Sequence, residues 1–218
     1  MNRGKVLEAW RRKRAAGQRI VGGRTGPDFL FVSNEDKLRL PGARGIAGLL
    51  PLGDANALSL QGARERVPNA GGVPVIAGVC ATDPLRLMDK FLQELRGVGV
   101  SGIQNAPSVG LIDGGFRTNL EEARLGYAKE IEIVRLAGEL ELVTSALVFS
   151  ADDARAMADA GADLVVIHPG LGARPPAKRI EELAAAAREG RKDVLVLALG
   201  DAESASAELR GVDGIQIE

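Results

Sequence analysis

Apolar residues in this chain fall into short β-branched runs separated by longer stretches of helical period. Pro74–Val79, Ser101–Asn105, Leu142–Phe149, Asp163–His168, Val194–Leu199 and Gly214–Ile217 each read as a buried strand. A parallel strand covered on both faces is apolar throughout rather than alternating. Ile20–Gly23 and Phe29–Val32 add two more, so eight strands are predicted. Helices are expected over Gly4–Ala16, Ala55–Val67, Pro84–Arg96, Asn119–Glu139, Ala151–Ala160, Arg179–Arg188 and Ala202–Arg210. In Pro84–Arg96 the apolar face is Leu85, Met88, Phe91, Leu92 and Leu95, at helical spacing. Asp54, Asp83 (with Pro84 after it) and Ser150 stand where N-caps belong.

Strands alternating with helices at this spacing predict a parallel sheet, and eight of them predict a closed TIM-type (β/α)8 barrel. At 218 residues the chain is short beside the usual roughly 250. The barrel is expected to be irregular, lacking a helix after its first strand and after its last. Only Arg24-Thr25-Gly26-Pro27-Asp28 separate the first two strands. A parallel crossover is expected to need about a dozen residues, so the pair reads as antiparallel, or one member as lying outside the barrel. An open doubly wound sheet is the alternative architecture, but no G-x-G-x-x-G follows any strand.

With 45% hydrophobic residues, the chain reads as one domain over residues 1–218, residues 1–17 forming an N-terminal helix. A net charge of −1 and 3% aromatic residues argue against nucleic acid as a partner. No apolar run approaches the roughly 18 residues that span a bilayer. The lone Cys80 excludes an intramolecular disulfide and suits a cytoplasmic protein. The basic run of the first helix, Arg3, Lys5 and Arg11 to Arg14, reads as a solvated face, or alternatively as a docking surface for another subunit.

Polar residues at strand C-termini are the site candidates in a barrel. They are Cys80 and Asp83 after the third strand, Asn105 with Asp113 and Arg117 after the fourth, and His168 after the sixth. The loop after Asn105 is long, and long loops in compact domains tend to be lids or binding segments. Each candidate has a plainer role: Asp54 and Asp83 as caps, Cys80 as a small buried hydrophobe, His168 as a core histidine, and Glu121 and Glu122 as partners of a helix dipole.

Gly48-Leu49-Leu50-Pro51-Leu52-Gly53-Asp54-Ala55-Asn56, Ala77-Gly78-Val79-Cys80-Ala81-Thr82-Asp83-Pro84 and Gln104-Asn105-Ala106-Pro107-Ser108-Val109-Gly110-Leu111-Ile112-Asp113-Gly114 carry a resemblance. Phe116-Arg117, Asn119-Leu120-Glu121-Glu122, Ala160-Gly161-Ala162-Asp163 and the His168 loop extend it. Together they resemble the phosphoenolpyruvate hydrolase-like family of TIM barrels. That family is related to the phosphoenolpyruvate mutase and isocitrate lyase enzymes, which bind pyruvyl-type acids with Mg²⁺ and make or break C–C or P–C bonds. Against the family pattern the chain is expected to be shortened at both ends, which would expose apolar edges and favour a homo-oligomer. The resemblance implies a lyase or hydrolase acting on a small keto-acid carboxylate, or a variant of it repurposed for a specialised metabolite. In that reading Asp113, His168, Asp83 and Cys80 are the catalytic candidates. Arg117, Asn105, Asn56 and Glu122 contact the substrate, and Asp54 with Asp83 hold Mg²⁺. The alternative is a non-catalytic barrel kept as a binding or signalling module.

Overall fold

The computed structural model describes residues 2–34, 53–168, 170, 176–200 and 210–217. Eight parallel strands close into one barrel in chain order. They are β1 (Ile20–Gly23), β2 (Phe29–Val32), β3 (Val75–Gly78), β4 (Gly102–Gln104), β5 (Val143–Val148), β6 (Leu164–Ile167), β7 (Leu195–Gly200) and β8 (Gly214–Ile217). Closure is made by β1 against β8, with Ile20 opposite Gly214 and Gly23 opposite Ile217. Closure removes the open-sheet alternative, because no strand is left as an edge. Seven helices accompany the strands among the described residues: α1 (Arg3–Ala15), α2 (Ala55–Arg66), α3 (Met88–Val98), α4 (Gly114–Glu122), α5 (Tyr127–Glu139), α6 (Ala151–Asp159) and α7 (Ala177–Gly190). None is long and apolar enough to cross a membrane. The expected helix at 202–210 falls on residues 201–209, outside the described residues.

The first two strands correct the sequence expectation. Both belong to the barrel and they pair in parallel, Gly22 with Phe29 and Gly23 with Leu30. Barrel shear removes the need for a long crossover. Phe29 enters level with Gly22 rather than with Ile20, so the chain steps back by only about two residues. The return runs tightly along β1: Asp28 N–H donates to Val21 O at 3.1 Å, and Asp28 Oδ2 accepts from Val21 N–H at 2.8 Å. A side chain at Gly22 would collide with the Phe29 ring, and one at Gly26 would lie 2.7 Å from Gly22 Cα. Glycine at both places is what lets five residues do the work of a crossover.

Helix α1 lies across the N-terminal end of the barrel and closes it. Val6, Leu7 and Trp10 are buried in the same cluster as the inward-facing Ile20, Phe29, Leu164 and Leu195. The basic run, expected to be solvated or to dock another subunit, is instead largely spent on the barrel floor. Arg3 makes a two-pronged bond to the fully buried Asp163 carboxylate at 2.9 and 3.0 Å. Arg11 pairs with Asp193 at 2.6 Å, and Lys13 with Asp28 at 2.6 Å. These acids sit just before β6, β7 and β2, so each cation meets a strand entrance. Arg12 remains on the outside, 73% exposed and paired with Glu8 one turn back.

Two further boundaries differ from expectation. The helix predicted from Pro84 begins at Met88, with no side-chain cap on its N-terminus. Asp83 Oδ1 accepts from Leu85 N–H at 2.9 Å and so shapes a local turn instead of capping. Leu85 is then 91% exposed and leaves the apolar face that Phe91, Leu92 and Leu95 keep. The single helix predicted over Asn119–Glu139 is two, broken where Arg124 adopts φ 59°. Asp54 and Ser150 do cap, accepting from Ala57 N–H and Asp153 N–H.

Candidate active site at the barrel mouth

The sequence-predicted residues separate into three places. The first surrounds the β3–α3 loop. Asn56, fully buried on α2, bonds that loop three times: its Oδ1 accepts from Cys80 N–H at 2.9 Å, and its Nδ2 donates to Cys80 O at 3.1 Å and to Asp83 Oδ2 at 2.9 Å. Arg86 joins the two nearby carboxylates, 2.6 Å from Asp54 and 3.3 Å from Asp83. Burial pushes the Cys80 thiol up, Thr82 opposing that effect. Asn56→Ala is therefore expected to cost about 2–3 kcal/mol in denaturant unfolding, because it orphans buried backbone groups, and to speed thiol labelling of Cys80. Unchanged labelling would show that the loop is held by something else.

The second place is α4 on the rim. Asp113 stands at its N-cap position without a side-chain cap bond and is exposed. Arg117 pairs with Glu121 at 2.6 Å, donates to Val109 O at 3.1 Å and lies over the Tyr127 ring at 5.7 Å. Its guanidinium braces the β4–α4 loop against α5. Desolvation raises the Glu121 pKa, but the bond it accepts from Tyr127 N–H and its pairing with Arg117 outweigh that and hold the carboxyl below the usual range. Glu122 is exposed.

The third place is the mouth itself, at the C-terminal strand ends. A narrow cavity of about 50 Å³ there is lined by Arg24, Phe31, Pro107, Ser108, His168 and Gln216, among others. Of the predicted residues only His168 lines it. His168 Nδ1 accepts from Gly170 N–H at 2.9 Å, which places the ring proton on Nε2. Burial against Phe149, whose ring centroid is 5.1 Å away, lowers its pKa to about 4. The imidazole is thus a neutral hydrogen-bond donor at physiological pH rather than a proton carrier.

The sequence reading missed Gln216, which lines this cavity, and the buried polar groups behind it. Gln104 and Ser145 are paired neighbours on β4 and β5, so their side chains leave the sheet on the same side. Gln216 Nε2 donates to Gln104 Oε1 at 3.0 Å, while Gln104 Nε2, Gln216 Oε1 and Ser145 Oγ are buried with no partner among the described residues. Unsatisfied polar atoms under a cavity point to a polar occupant. Also missed was Glu130 on α5, completely buried below the β4–α4 loop. It accepts from Asn105 Nδ2 at 2.5 Å, Ser108 Oγ at 2.6 Å and Val109 N–H at 2.7 Å. Asn105 also clasps β5 through Leu147 N–H at 2.6 Å. Desolvation raises the Glu130 pKa from 4.5 to about 7, against these three bonds and Arg117. A signal was present: Glu130 occupies the buried stripe Tyr127, Glu130, Val134, Ala137 of α5, where a charge needs a reason.

A larger groove of about 350 Å³ opens on the barrel's flank between the β3–α3 loop, α3 and α5. It lies off the strand-end axis where barrel chemistry is performed.

The family model for phosphoenolpyruvate hydrolase-like proteins matches residues 18–212. The chain belongs to the phosphoenolpyruvate hydrolase-like family. Among its relatives, the ToMV resistance protein Tm-1 of tomato (Solanum lycopersicum) is 49% identical over 146 residues, which is 67% of this chain and 19% of that protein. The chain thus spans about a fifth of that relative's length. Solved structures share the fold. 2,3-Dimethylmalate lyase, a PEP mutase/isocitrate lyase superfamily member, superposes with a TM-score of 0.54 at 15% identity, covering 97% of this chain and 80% of that one. A putative phosphonomutase from Burkholderia cenocepacia gives 0.51 at 20% identity, covering 97% and 83%. In this phosphoenolpyruvate hydrolase-like chain no three of His, Cys, Asp and Glu come together among the described residues. Asp54 and Asp83, the residues expected to hold Mg²⁺, both bond Arg86. The described donors do not fit a divalent cation, and no step below uses one.

Proposed function

We propose that this protein binds a small keto-acid at the barrel mouth and acts on it as a lyase or hydrolase. The observation that carries the proposal is the composition of one cavity: the cation Arg24, a neutral His168 imidazole and the Gln216 amide, whose oxygen has no partner among the described residues, line it together at the strand ends. Arg24 supplies a guanidinium for the substrate carboxylate. His168 Nε2–H supplies a donor for a carbonyl oxygen that gains negative charge as an enolate forms. Donors already in place, in a site that excludes water, stabilise such charge without reorganisation. A neutral imidazole donates here without pre-empting the anion with a fixed positive charge. The small volume restricts the substrate to a few heavy atoms. Membership of the phosphoenolpyruvate hydrolase-like family supports the same substrate class.

The test uses oxalate, a mimic of the pyruvate enolate, and pyruvate itself. Oxalate at a hundredfold excess over its Kd is expected to raise Tm by about 5–10 °C, and Arg24→Gln is expected to abolish the shift. Absence of any shift with a panel of two- to five-carbon keto-acids, with and without Mg²⁺, would leave the barrel as a binding module for something else.

A further inference from the structure

We infer that Glu130 acts as a buried proton reservoir for the mouth cavity, with the Ser108 hydroxyl as the relay between them. The inference rests on the keto-acid reading of the mouth and adds the proton carrier that a neutral His168 does not supply.

Ser108 lines the cavity, and its Oγ lies 2.6 Å from Glu130 Oε2. The same oxygen accepts from Gly110 N–H at 3.1 Å. A hydroxyl has one proton and two acceptor positions, so two arrangements satisfy it. With Glu130 ionised, Ser108 donates to the carboxylate and its proton faces away from the cavity. With Glu130 protonated on Oε2, the carboxyl donates to Oγ, Gly110 N–H fills the other acceptor position, and the serine proton is released toward the cavity. Asn105 Nδ2 and Val109 N–H keep their acceptors in both states. Moving one proton therefore turns the serine from a donor to Glu130 into a donor to whatever fills the mouth.

In the protonation direction the serine O–H bond breaks as its proton passes to the enolate carbon of the substrate, and the Glu130 O–H bond breaks as its proton passes to Ser108 Oγ. The product is the keto-acid, with Glu130 left as carboxylate. In reverse the pair removes a proton from the carbon next to the carbonyl, and no other reactant is consumed. The charged and titratable groups around Glu130 are few. Arg117 favours its carboxylate, while Tyr127 and Cys80 each feel its negative charge. A carboxyl that titrates near neutrality is suited to both directions.

The experiment follows loss of the pyruvate methyl signal in D₂O by proton NMR, with oxalate-induced stabilisation measured in parallel. The unsubstituted protein is expected to exchange the methyl protons, with a pH profile breaking near the Glu130 titration. Ser108→Ala and Glu130→Gln should each slow exchange by about 10²-fold or more, while the oxalate shift persists in Glu130→Gln, which leaves the cavity lining intact. Ser108→Thr, which keeps the hydroxyl, should retain exchange. Glu130→Gln should also remove the break in the pH profile, which a merely structural role would leave in place. Exchange persisting within about threefold in Ser108→Ala overturns the relay and leaves the keto-acid reading standing. Absence of both exchange and oxalate stabilisation in the unsubstituted protein overturns the reading, and the relay with it. Oxalate stabilisation without exchange overturns the relay alone.

Discussion

Glu130→Gln is expected to cross the unsubstituted protein in stability between pH 5 and pH 8. The carboxyl has its pKa raised from 4.5 to about 7 on folding. The folded state therefore binds more protons than the unfolded chain in that interval, and stability falls as pH rises through it. The gap between 4.5 and about 7 corresponds to about 3 kcal/mol, lost by pH 8. A glutamine cannot ionise, so its variant escapes that loss. It has a cost of its own, because its amide meets the Asn105 Nδ2 donor where the carboxylate offered an acceptor. That mismatch is expected to make the variant about 1–2 kcal/mol less stable at pH 5. By pH 8 the order should be level or reversed. His168, lowered to about 4 by burial, acts oppositely and at lower pH, its contribution being lost as pH falls below about 6.5. It is common to both proteins and cancels in the difference. Urea unfolding of both across this range checks the prediction, and parallel curves would show that Glu130 is ionised at all these pH values.

Trp10→Ala is expected to lower stability by about 3–5 kcal/mol, the range for truncating a buried large side chain. Trp10 is 2% exposed and sits beneath the barrel, edge-on to Phe29 with ring centroids 5.6 Å apart. Its indole N–H donates to Asp28 O at 3.3 Å, in the return turn that lets β1 and β2 run parallel. The substitution thus removes packing from the barrel floor and a clasp from its most unusual connection. Arg12→Ala, on the solvated side of the same helix, should change stability by no more than about 0.5 kcal/mol. Thermal or denaturant unfolding of the pair separates the two sides of α1. Similar small losses in both would mean that the helix rests on the barrel without contributing to its core.

Placement of the site residues shows why one chain of letters yields a fold more readily than a centre of chemistry. His168 is legible as a mouth residue because it follows a buried strand. Gln104 also lies on a strand, but a glutamine in an apolar run gives no sign of whether it faces the barrel axis or a helix. Arg117 looked like an anion donor because of its loop, and the partner that engages it, Glu121, lies one turn further along the helix that the loop leads into. Asp54 and Asp83 looked like a carboxylate pair, and they do converge, but on Arg86. Opposite charges brought together by folding satisfy one another unless something holds them apart.

By itself the sequence determined the eight strands, most of the helices and the barrel class, though not the parallel pairing of β1 with β2, because the period of apolar residues is a local property that each segment carries. It also carried the family resemblance and the helix caps at Asp54 and Ser150. Only the tertiary structure decided how β1 and β2 are joined, since strand register depends on the shear of the whole barrel. It alone turned the basic face of α1 onto Asp28, Asp163 and Asp193, and it alone set Glu130 beneath Asn105 and Ser108. The charged partners lie up to 182 residues apart in the chain, for Arg11 and Asp193. The free energy of a charge or a buried amide is set by what folding places beside it.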